Sequence, residues 1–114
     1  MELNDYQEKA METCMVTCKN DSYMLLNLVA EVGEFAGKIA KAIRKMDCRF
    51  DEGDYLVDKH YLDELKLEAG DILWQLAGVC RNMGWRLDEV AQANLDKLAS
   101  RQQRGVIDGD GDHR

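Results

Sequence analysis

The sequence predicts an all-α protein, and three observations support this fold class. The 114 residues contain no proline, the residue that most disrupts the interior of a helix. The β-branched residues do not form the clusters that are typical of strands. Apolar residues instead recur every three or four positions, which gives an amphipathic helix one continuous apolar face. We therefore predict a single helical domain over residues 1–114 that ends in a turn-rich tail at 105–114.

Composition limits the possible partners and location of the protein. Hydrophobic residues make up 46% of the chain and the formal net charge is −7. This balance is typical of a globular protein, and it argues against a nucleic-acid duplex or an anionic membrane as the main partner. The first 20 residues contain no long apolar run, so we predict neither a signal peptide nor a membrane span, and a cytoplasmic location. The four cysteines are then expected to be reduced thiols.

Four helices are predicted from the apolar spacing and from capping residues. We expect them at about residues 4–20, 23–45, 62–83 and 87–104. Asn4 or Asp5 is suited to cap the first, Asp21 or Ser22 the second, and Gly84 to end the third. Two longer helices should each bury a continuous apolar stripe, formed by Leu25, Leu28, Val29, Val32, Phe35, Ala36, Ile39, Ile43 and Met46 in one and by Leu65, Ile72, Leu73, Leu76, Val79, Cys80 and Met83 in the other.

Two segments have no helical period. The first, Asp47–His60, is predicted to be a loop of the length that often covers a substrate, and its His60 is either a proton donor or simply exposed. The second is the tail, Val106–Arg114, where acids alternate with glycine. The alternation resembles a calcium loop, but the closing glutamate and the flanking helices of an EF-hand are missing. We expect the tail to pack on a neighbour or to stay mobile.

Two short stretches place paired acids inside the apolar helical patterns. They read Glu31-Val-Gly-Glu34 and Glu68-Ala-Gly-Asp71. Positions i and i+3 share one face of a helix, so each stretch projects two carboxylates in one direction. Two such helices facing each other would gather four negative charges, which repel unless a cation neutralises them. The pattern therefore predicts a site for a hard divalent ion, Mg²⁺ or Mn²⁺; the alternative is that these acids are only a solvated surface.

Glycines within the two acid stretches support the metal site. Gly33 and Gly70 lie in predicted helix interiors, where glycine costs about 1 kcal/mol relative to alanine. A cost of this kind usually has a reason, and close approach of two backbones is the commonest one. We expect these glycines to let the two acid-bearing helices come close together.

Two further rows of polar residues extend the possible site. Lys38 follows Glu34 at i+4, so it either pairs with the acids on the helix surface or contacts a phosphate bound at the metal. Asn94, Lys97 and Arg101 share one face of the last predicted helix. They form either a solvated helix end matched to the helix dipole or a polar row that contacts the phosphates of a ligand.

These motifs together resemble the MazG-like family of all-α nucleoside triphosphate pyrophosphohydrolases. The resemblance covers Leu28–Arg114 and rests on the two acid pairs, the second continued by Ile-Leu-Trp74, and on Asn94-Leu-Asp-Lys97-Leu-Ala-Ser-Arg101. The ending from Arg104 to Arg114 resembles small single-domain members, including phage-encoded ones. The combination of motifs is specific, although each alone would be weak.

The resemblance implies a four-helix-bundle-like fold that is completed by assembly into a homodimer or a dimer of dimers. It implies Mg²⁺, with Mn²⁺ as a possible substitute, held by Glu31, Glu34, Glu68 and Asp71. The implied reaction converts a nucleoside triphosphate, NTP or dNTP, to the monophosphate and pyrophosphate. A metal-activated water would attack the α-phosphorus. One of the four acids would help to deprotonate it; the sequence does not choose among them, and we take Glu34 as the candidate.

Substrate contacts are also implied by the resemblance. Lys97 and Arg101, with Asn94, would contact the phosphates, sometimes across a subunit interface. Lys38 is a further candidate for phosphate contact from its helix position, and not from the resemblance. Trp74 and Trp85 are candidates to stack on the base, although each also suits a core position. The chain departs from many relatives in having Ala30 before the first ligand and Gln75 in place of an aromatic residue. Gln75 leaves the nucleotide preference open.

Two other classes of function are compatible with parts of the pattern. Di-iron carboxylate bundles use Glu-x-x-His on their helices, whereas the i+3 partners here are Glu34 and Asp71. A non-catalytic regulator or adaptor that binds metal and nucleotide would use the same residues without turnover. Magnesium-dependent product formation separates this alternative from an enzyme.

Overall fold

The computed structural model describes residues 1–46 and 59–114. These residues form four α-helices, and a short 3₁₀-helix at Val16–Lys19 follows the first of them. Within the described ranges there is no strand, so the predicted all-α class is confirmed. The helices are α1 (Leu3–Met11), α2 (Asp21–Met46), α3 (Lys59–Asn82) and α4 (Leu87–Gln103). Most of the predicted loop at 47–60 lies outside the described residues, and His60 belongs to the first turn of α3.

Helix α1 is shorter than predicted because its C-terminal end is fixed by side chains. It ends at Met11, whereas the apolar spacing predicted a helix to about residue 20. The indole N–H of Trp74 donates to the backbone oxygen of Ala10 at 3.0 Å and to Thr13 Oγ1 at 2.9 Å. The Thr13 hydroxyl itself donates to Ala10 O at 2.7 Å. These bonds satisfy a carbonyl that would otherwise continue the helix.

The other helix ends also have capping residues, but some of these are not the residues that the sequence predicted. Asn20, not Asp21 or Ser22, caps α2, because its Oδ1 accepts from Tyr23 N at 3.0 Å. Gly84 ends α3 with φ +77°, as predicted, and Gly105 with φ +71° follows α4. Asn4 does not cap α1, which begins at Leu3. Its Oδ1 instead accepts from the backbone N–H of Asp88 at 3.0 Å, in the first turn of α4.

Helices α2 and α3 form the central pair and run antiparallel. Gln75 contacts Met24 near the start of α2, and Ala42 near its end packs with Tyr61 and Leu65 at the start of α3. As numbers rise along one helix they fall along the other. The antiparallel arrangement brings the middle of each helix, where the acid pairs are located, to the same level.

Helix α1 joins α3 to α4 through a buried glutamine. Gln7 is 8% exposed, and its Nε2 donates to the backbone oxygens of Ala77 and Trp85. Its Oε1 accepts from Leu87 N at 3.1 Å, so it satisfies the first N–H of α4. The apolar core around this contact consists of Met11, Ala77, Cys80 and Leu87. Burying one amide that makes three hydrogen bonds fixes the entry of α4 at little net cost.

The apolar stripes predicted for the central pair are only partly buried in this chain. On α2, Val29 is 70% exposed, and Leu25, Val32 and Ile43 are also exposed. Leu73, Leu76 and Met83 are exposed on α3. The Cα radius of gyration is 17.2 Å, whereas a compact domain of this length has about 13 Å. One chain therefore leaves much of its predicted core uncovered.

The state of the described cysteines differs in part from the prediction. Cys14 and Cys18 are joined by a disulfide with their Cα atoms 5.9 Å apart, so the expectation that all cysteines are reduced is wrong at this pair. Cys80 is a buried free thiol, and burial raises its pKa. Cys48 lies outside the described residues. None of the described helices has an apolar stretch sufficient to cross a membrane.

Candidate metal centre

The two acid pairs lie near the middle of α2 and α3, where these two helices pack against each other. Carboxylate oxygens of Glu31, Glu68 and Asp71 all lie within 4.8 Å of one another. Glu34 is exposed and lies beside Glu31, close enough for the two carboxyls to share a hydrogen bond when one is protonated. It is not a member of the closest group. The structure thus brings together three of the four predicted ligands and places the fourth at their edge.

Within residues 1–46 and 59–114, the negative charge of this acid cluster is only partly compensated. Burial raises the pKa of the Glu31 carboxyl, and repulsion from Glu34, Asp71 and Glu68 raises it further. Among the described residues, no hydrogen-bond donor reaches the buried oxygens Glu31 Oε2 and Glu68 Oε2. Buried carboxylate oxygens without partners are costly, and a hard divalent cation binds such oxygens preferentially. The donor set therefore fits Mg²⁺ or a similar ion.

Two amide side chains hold Glu31 in place, and the sequence analysis did not identify this role for either. Gln75 is 1% exposed; its Nε2 donates to Met24 O at 3.1 Å, and its Oε1 accepts from Asn27 Nδ2 at 2.8 Å. The same Asn27 Nδ2 lies 3.4 Å from Glu31 Oε1. The spacing contained a signal, because Asn27 precedes Glu31, and Asp71 precedes Gln75, by one helical turn. Gln75 thus supports the acid site from a buried position.

Lys38 supplies positive charge at the rim of the acid cluster. Its Nζ lies 3.6 Å from Glu68 Oε1 and 3.5 Å from Glu64 Oε2, both on α3. These contacts cross from α2 to α3, whereas the sequence suggested a pair along one helix. With 36% of its side chain exposed, Lys38 partly balances Glu68 and remains accessible from solvent.

The glycines beside the acids do not bring α2 and α3 of one chain together, contrary to the prediction. A Cβ added at Gly33, Gly37 or Gly70 would meet no atom within 4 Å among the described residues. The backbone at these positions faces open space. Gly78 is the contrasting case, because a Cβ there would lie 2.3 Å from Met24 Cε. Close approach within the chain thus explains Gly78 but not Gly33 or Gly70.

The polar row on α4 lies apart from the acids. Asn94 and Lys97 line an open groove of about 460 Å³ together with Trp85, which is 51% exposed. Arg101 is 5% exposed and is covered by the tail. In the part of the chain that the structure describes, no hydrogen bond or ion pair joins Asn94, Lys97 or Arg101 to the acids. Within the described residues of one chain, the two predicted halves of the site therefore make no direct polar contact with each other.

The two aromatic candidates differ in their surroundings. Trp74 packs against the apolar core around Ala77 and against a second core cluster, formed by Cys18, Met24 and Val79. Its indole N–H donates to Ala10 O and Thr13 Oγ1. Trp85 is half exposed at the α4 groove. Burial raises the pKa of the Tyr6 hydroxyl, and the negative charge of Asp71 raises it further, so this α1 residue is within electrostatic range of the acid cluster.

Comparison with known proteins identifies the family. The model of the MazG nucleotide pyrophosphohydrolase domain matches residues 19–106. The chain belongs to the MazG family. It is also 35% identical to the Gene 37 protein of Mycobacterium phage L5 over 121 residues, covering both proteins completely. No solved structure gives a significant match.

The MazG match contains the four predicted acids and the polar row of α4. It excludes α1 and nearly all of the tail, since it runs from residue 19 to residue 106. Family membership supports nucleotide pyrophosphohydrolase activity in general. The acidic cluster at α2 and α3 is able to hold the divalent ion that such chemistry uses.

Proposed function

We propose that this protein hydrolyses a nucleoside triphosphate, NTP or dNTP, to the monophosphate and pyrophosphate with Mg²⁺ bound by Glu31, Glu34, Glu68 and Asp71. The observation that carries this proposal is the group of three carboxylates within 4.8 Å of one another in a MazG domain. Two of these residues have buried oxygens without a donor among the described residues. That arrangement is unfavourable for an empty surface and favourable for a cation site.

Each acid has a role that follows from its position. Glu31 is held by Asn27, so it is oriented before an ion binds. Glu68 and Asp71 offer oxygens from α3. Glu34 is exposed beside this group, which suits it to take a proton from the attacking water. When bound, Mg²⁺ would neutralise phosphate charge and lower the pKa of the water that attacks the α-phosphorus; Mn²⁺ has similar ligand preferences.

The α4 row contributes to this function from a second copy of the chain. Lys97 and Asn94 would contact phosphates, whereas Arg101 lies beneath the tail and donates to Asp112, which also contacts Lys97. Because no contact joins them to the acids of their own described chain, we propose a homodimer, alone or paired into a tetramer. The exposed apolar residues of α2 and α3, with the open backbone at Gly33 and Gly70, suit a face that a second copy covers.

Product analysis tests the reaction. Each common NTP and dNTP is incubated with Mg²⁺ or EDTA, and the products are resolved by chromatography. Glu31→Gln and Glu68→Gln are run beside Asp63→Asn, an exposed acid on the same helix as Glu68. We expect monophosphate and pyrophosphate, lost with EDTA and in the first two variants only. Diphosphate with orthophosphate would mean attack at the γ-phosphorus, and nucleotide binding without turnover would favour a regulator.

Complementation between inactive variants tests the shared site. Glu68→Gln and Lys97→Ala are each expected to be inactive alone. If acids and cations come from different copies, random mixing of the two variants restores about a quarter of wild-type activity, since half of the dimers are mixed and half of their sites are intact. If both sets act within one chain, mixing restores nothing. Light scattering of each variant confirms that assembly is unchanged.

A further inference from the structure

The C-terminal tail, Val106–Arg114, forms a closed loop held by its own arginine. The Arg114 guanidinium donates to the backbone oxygens of Val106 at 2.9 Å and Ile107 at 3.0 Å, and also to Gly111 O. Two glycines are needed for this shape. A Cβ on Gly109 would lie 2.7 Å from Arg114 Cδ and 3.2 Å from Val106 O, and Gly111 has φ +79°. The tail is thus a built element of the fold.

The closed tail places Asp112 on the cations of α4. One oxygen, Asp112 Oδ1, lies 3.3 Å from Lys97 Nζ and 3.2 Å from Arg101 Nη2. Arg101 Nη2 also donates to Gly111 O at 3.3 Å. The two hydrogen bonds from Lys97 and Arg101, with their charges, hold the pKa of Asp112 below its usual value. Asp112 is therefore the tail residue that joins both cations, while the backbone oxygen of Gly111 gives Arg101 a second contact with the tail.

Exposure shows which of the two cations remains available to a ligand. The Arg101 side chain is 6% exposed, so the tail covers it almost completely. The Lys97 side chain is 40% exposed and lines the Trp85 groove. An ammonium has three N–H donors, of which Asp112 takes one. Lys97 thus keeps donors for a phosphate, whereas Arg101 Nη2 donates to the tail and the buried Arg101 Nε has no acceptor among the described residues.

Asp112 also makes the position of Lys97 possible. Lys97 and Arg101 are at i and i+4 on α4, where like charges repel. A carboxylate between them converts this repulsion into two attractive contacts. Without it, the flexible Lys97 side chain would turn away from Arg101 and lose its fixed place in the groove.

We propose that the tail is a clamp in which Asp112 acts as a positioning residue, holding Lys97 at the groove for contact with the substrate phosphates. This inference rests on the proposed function and adds the tail to it. The tail would act on substrate binding, because the side-chain contacts of Asp112 are with Lys97 and Arg101, the cations placed at the phosphates and not at the metal.

Kinetics of matched charge variants test the clamp. Asp112→Asn removes the bridging charge, and Asp110→Asn removes an equal charge two residues away, where no partner is found in the described chain. We expect Asp112→Asn to raise KM about fivefold, which corresponds to the loss of one exposed ion pair. The kcat of the variant should stay within about twofold of the wild-type value. Arg114→Gln, which releases the loop, should show the same split. Asp110→Asn should match wild type.

Three results would overturn the clamp. A lower KM in Asp112→Asn would mean that Asp112 competes with phosphate for Lys97. Equal values for the Asp112 and Asp110 variants would mean that the tail has no role, and a fall in kcat alone would place Asp112 in the chemical step.

Affinity for inorganic tripolyphosphate, measured by calorimetry in the same proteins, separates the clamp from the proposed reaction. If the wild type releases no pyrophosphate, the proposed reaction fails. Weaker tripolyphosphate binding in Asp112→Asn than in Asp110→Asn would still support the clamp, and equal binding would reject it.

Discussion

The acid cluster between α2 and α3 and the cation cluster of α4 differ in how far their charges are compensated by other side chains. In the first, Glu31, Glu68 and Asp71 are gathered with few compensating groups, and two buried oxygens have no donor among the described residues. In the second, Lys97 and Arg101 are already bridged by Asp112 from the tail. The first cluster leaves two buried acceptors without a donor, whereas in the second both cations have a carboxylate partner. The second cluster still has one buried donor, Arg101 Nε, without an acceptor in the described ranges.

This difference indicates where a ligand would change the protein most. Binding of a divalent ion at the acid cluster would relieve repulsion that the folded chain otherwise carries. A phosphate bound at α4 would accept from the Lys97 N–H groups that Asp112 does not use. Its binding would therefore change the contacts within the fold little. We therefore expect metal to control both stability and activity, and the α4 cluster to control substrate affinity.

The largest expected effect is the loss of turnover when one acid of the cluster is replaced by an amide. Asp71→Asn should lower kcat by about 100-fold or more, because loss of even a supporting residue costs about 10- to 100-fold at metal sites. It should not lower the stability of the metal-free protein, since it removes one of the repelling charges. Steady-state kinetics and thermal unfolding in EDTA check this, with Asp63→Asn as control. An unchanged kcat would remove Asp71 from the site.

The second effect concerns the buried support of the acid cluster. Gln75→Leu has a similar volume but removes the donor to Met24 O and the shorter of the two contacts of Asn27 Nδ2, which keeps Glu31 Oε1. We expect the free energy of unfolding to fall by about 2 kcal/mol and Mg²⁺ affinity to fall about tenfold. Urea unfolding and metal titration measure the two. Gln92→Leu, on the exposed surface of α4, is the control; equal stability of the two variants would show that the acid cluster does not depend on this network.

Local patterns predicted the acid cluster and most of the helices. The i, i+3 spacing of Glu31 with Glu34 and of Glu68 with Asp71 requires only helical geometry, and α2 and α3 are both helical at these positions. Gly84 and Gly105 were also predictable, because each follows the end of a periodic segment and takes a positive φ.

Features set by contacts distant in sequence could not be predicted. Helix α1 ends early because Trp74 reaches Ala10, 64 positions away. The tail alternates acids with glycine, which suggests a loop but not that Asp112 would bridge two cations. The apolar stripe of α2 was predicted to be buried from its helical spacing alone, yet Val29 is 70% exposed. Helical spacing shows which residues share an apolar face, but it does not show what covers that face.

A third test uses the direction of the Glu31 pKa shift. Its pKa is raised above the ordinary 4.5, so the folded state holds this proton more tightly than the unfolded state. Stability of the metal-free protein therefore falls as pH rises from 4.5 through the raised value, and the loss is complete above it. Glu31→Gln should remove this dependence and stabilise the metal-free protein at pH 7 by on the order of 1 kcal/mol.

Chemical unfolding across pH in EDTA measures this effect. Glu8→Gln, an exposed acid of α1, is the matched control and should keep the wild-type pH profile. Saturating Mg²⁺ should reverse the ranking, because only wild type retains the complete ligand set. If Glu31→Gln destabilised the metal-free protein, the repulsion attributed to the acid cluster would be wrong.

The smallest effect has the opposite sign and is confined to the tail. The pKa of Asp112 is lowered below 3.8 by hydrogen bonds from Lys97 and Arg101. Its contribution to holding the tail is therefore present above pH 3.8 and is lost as pH falls through the lowered value. Amide chemical shifts of Gly111 and Asp112 should change in that window, without a measurable change in global unfolding, and Asp112→Asn should show no such step. Release of the tail at the pH where Glu31 titrates would instead mean that one event governs both clusters, and that their contrast does not arise from local charge.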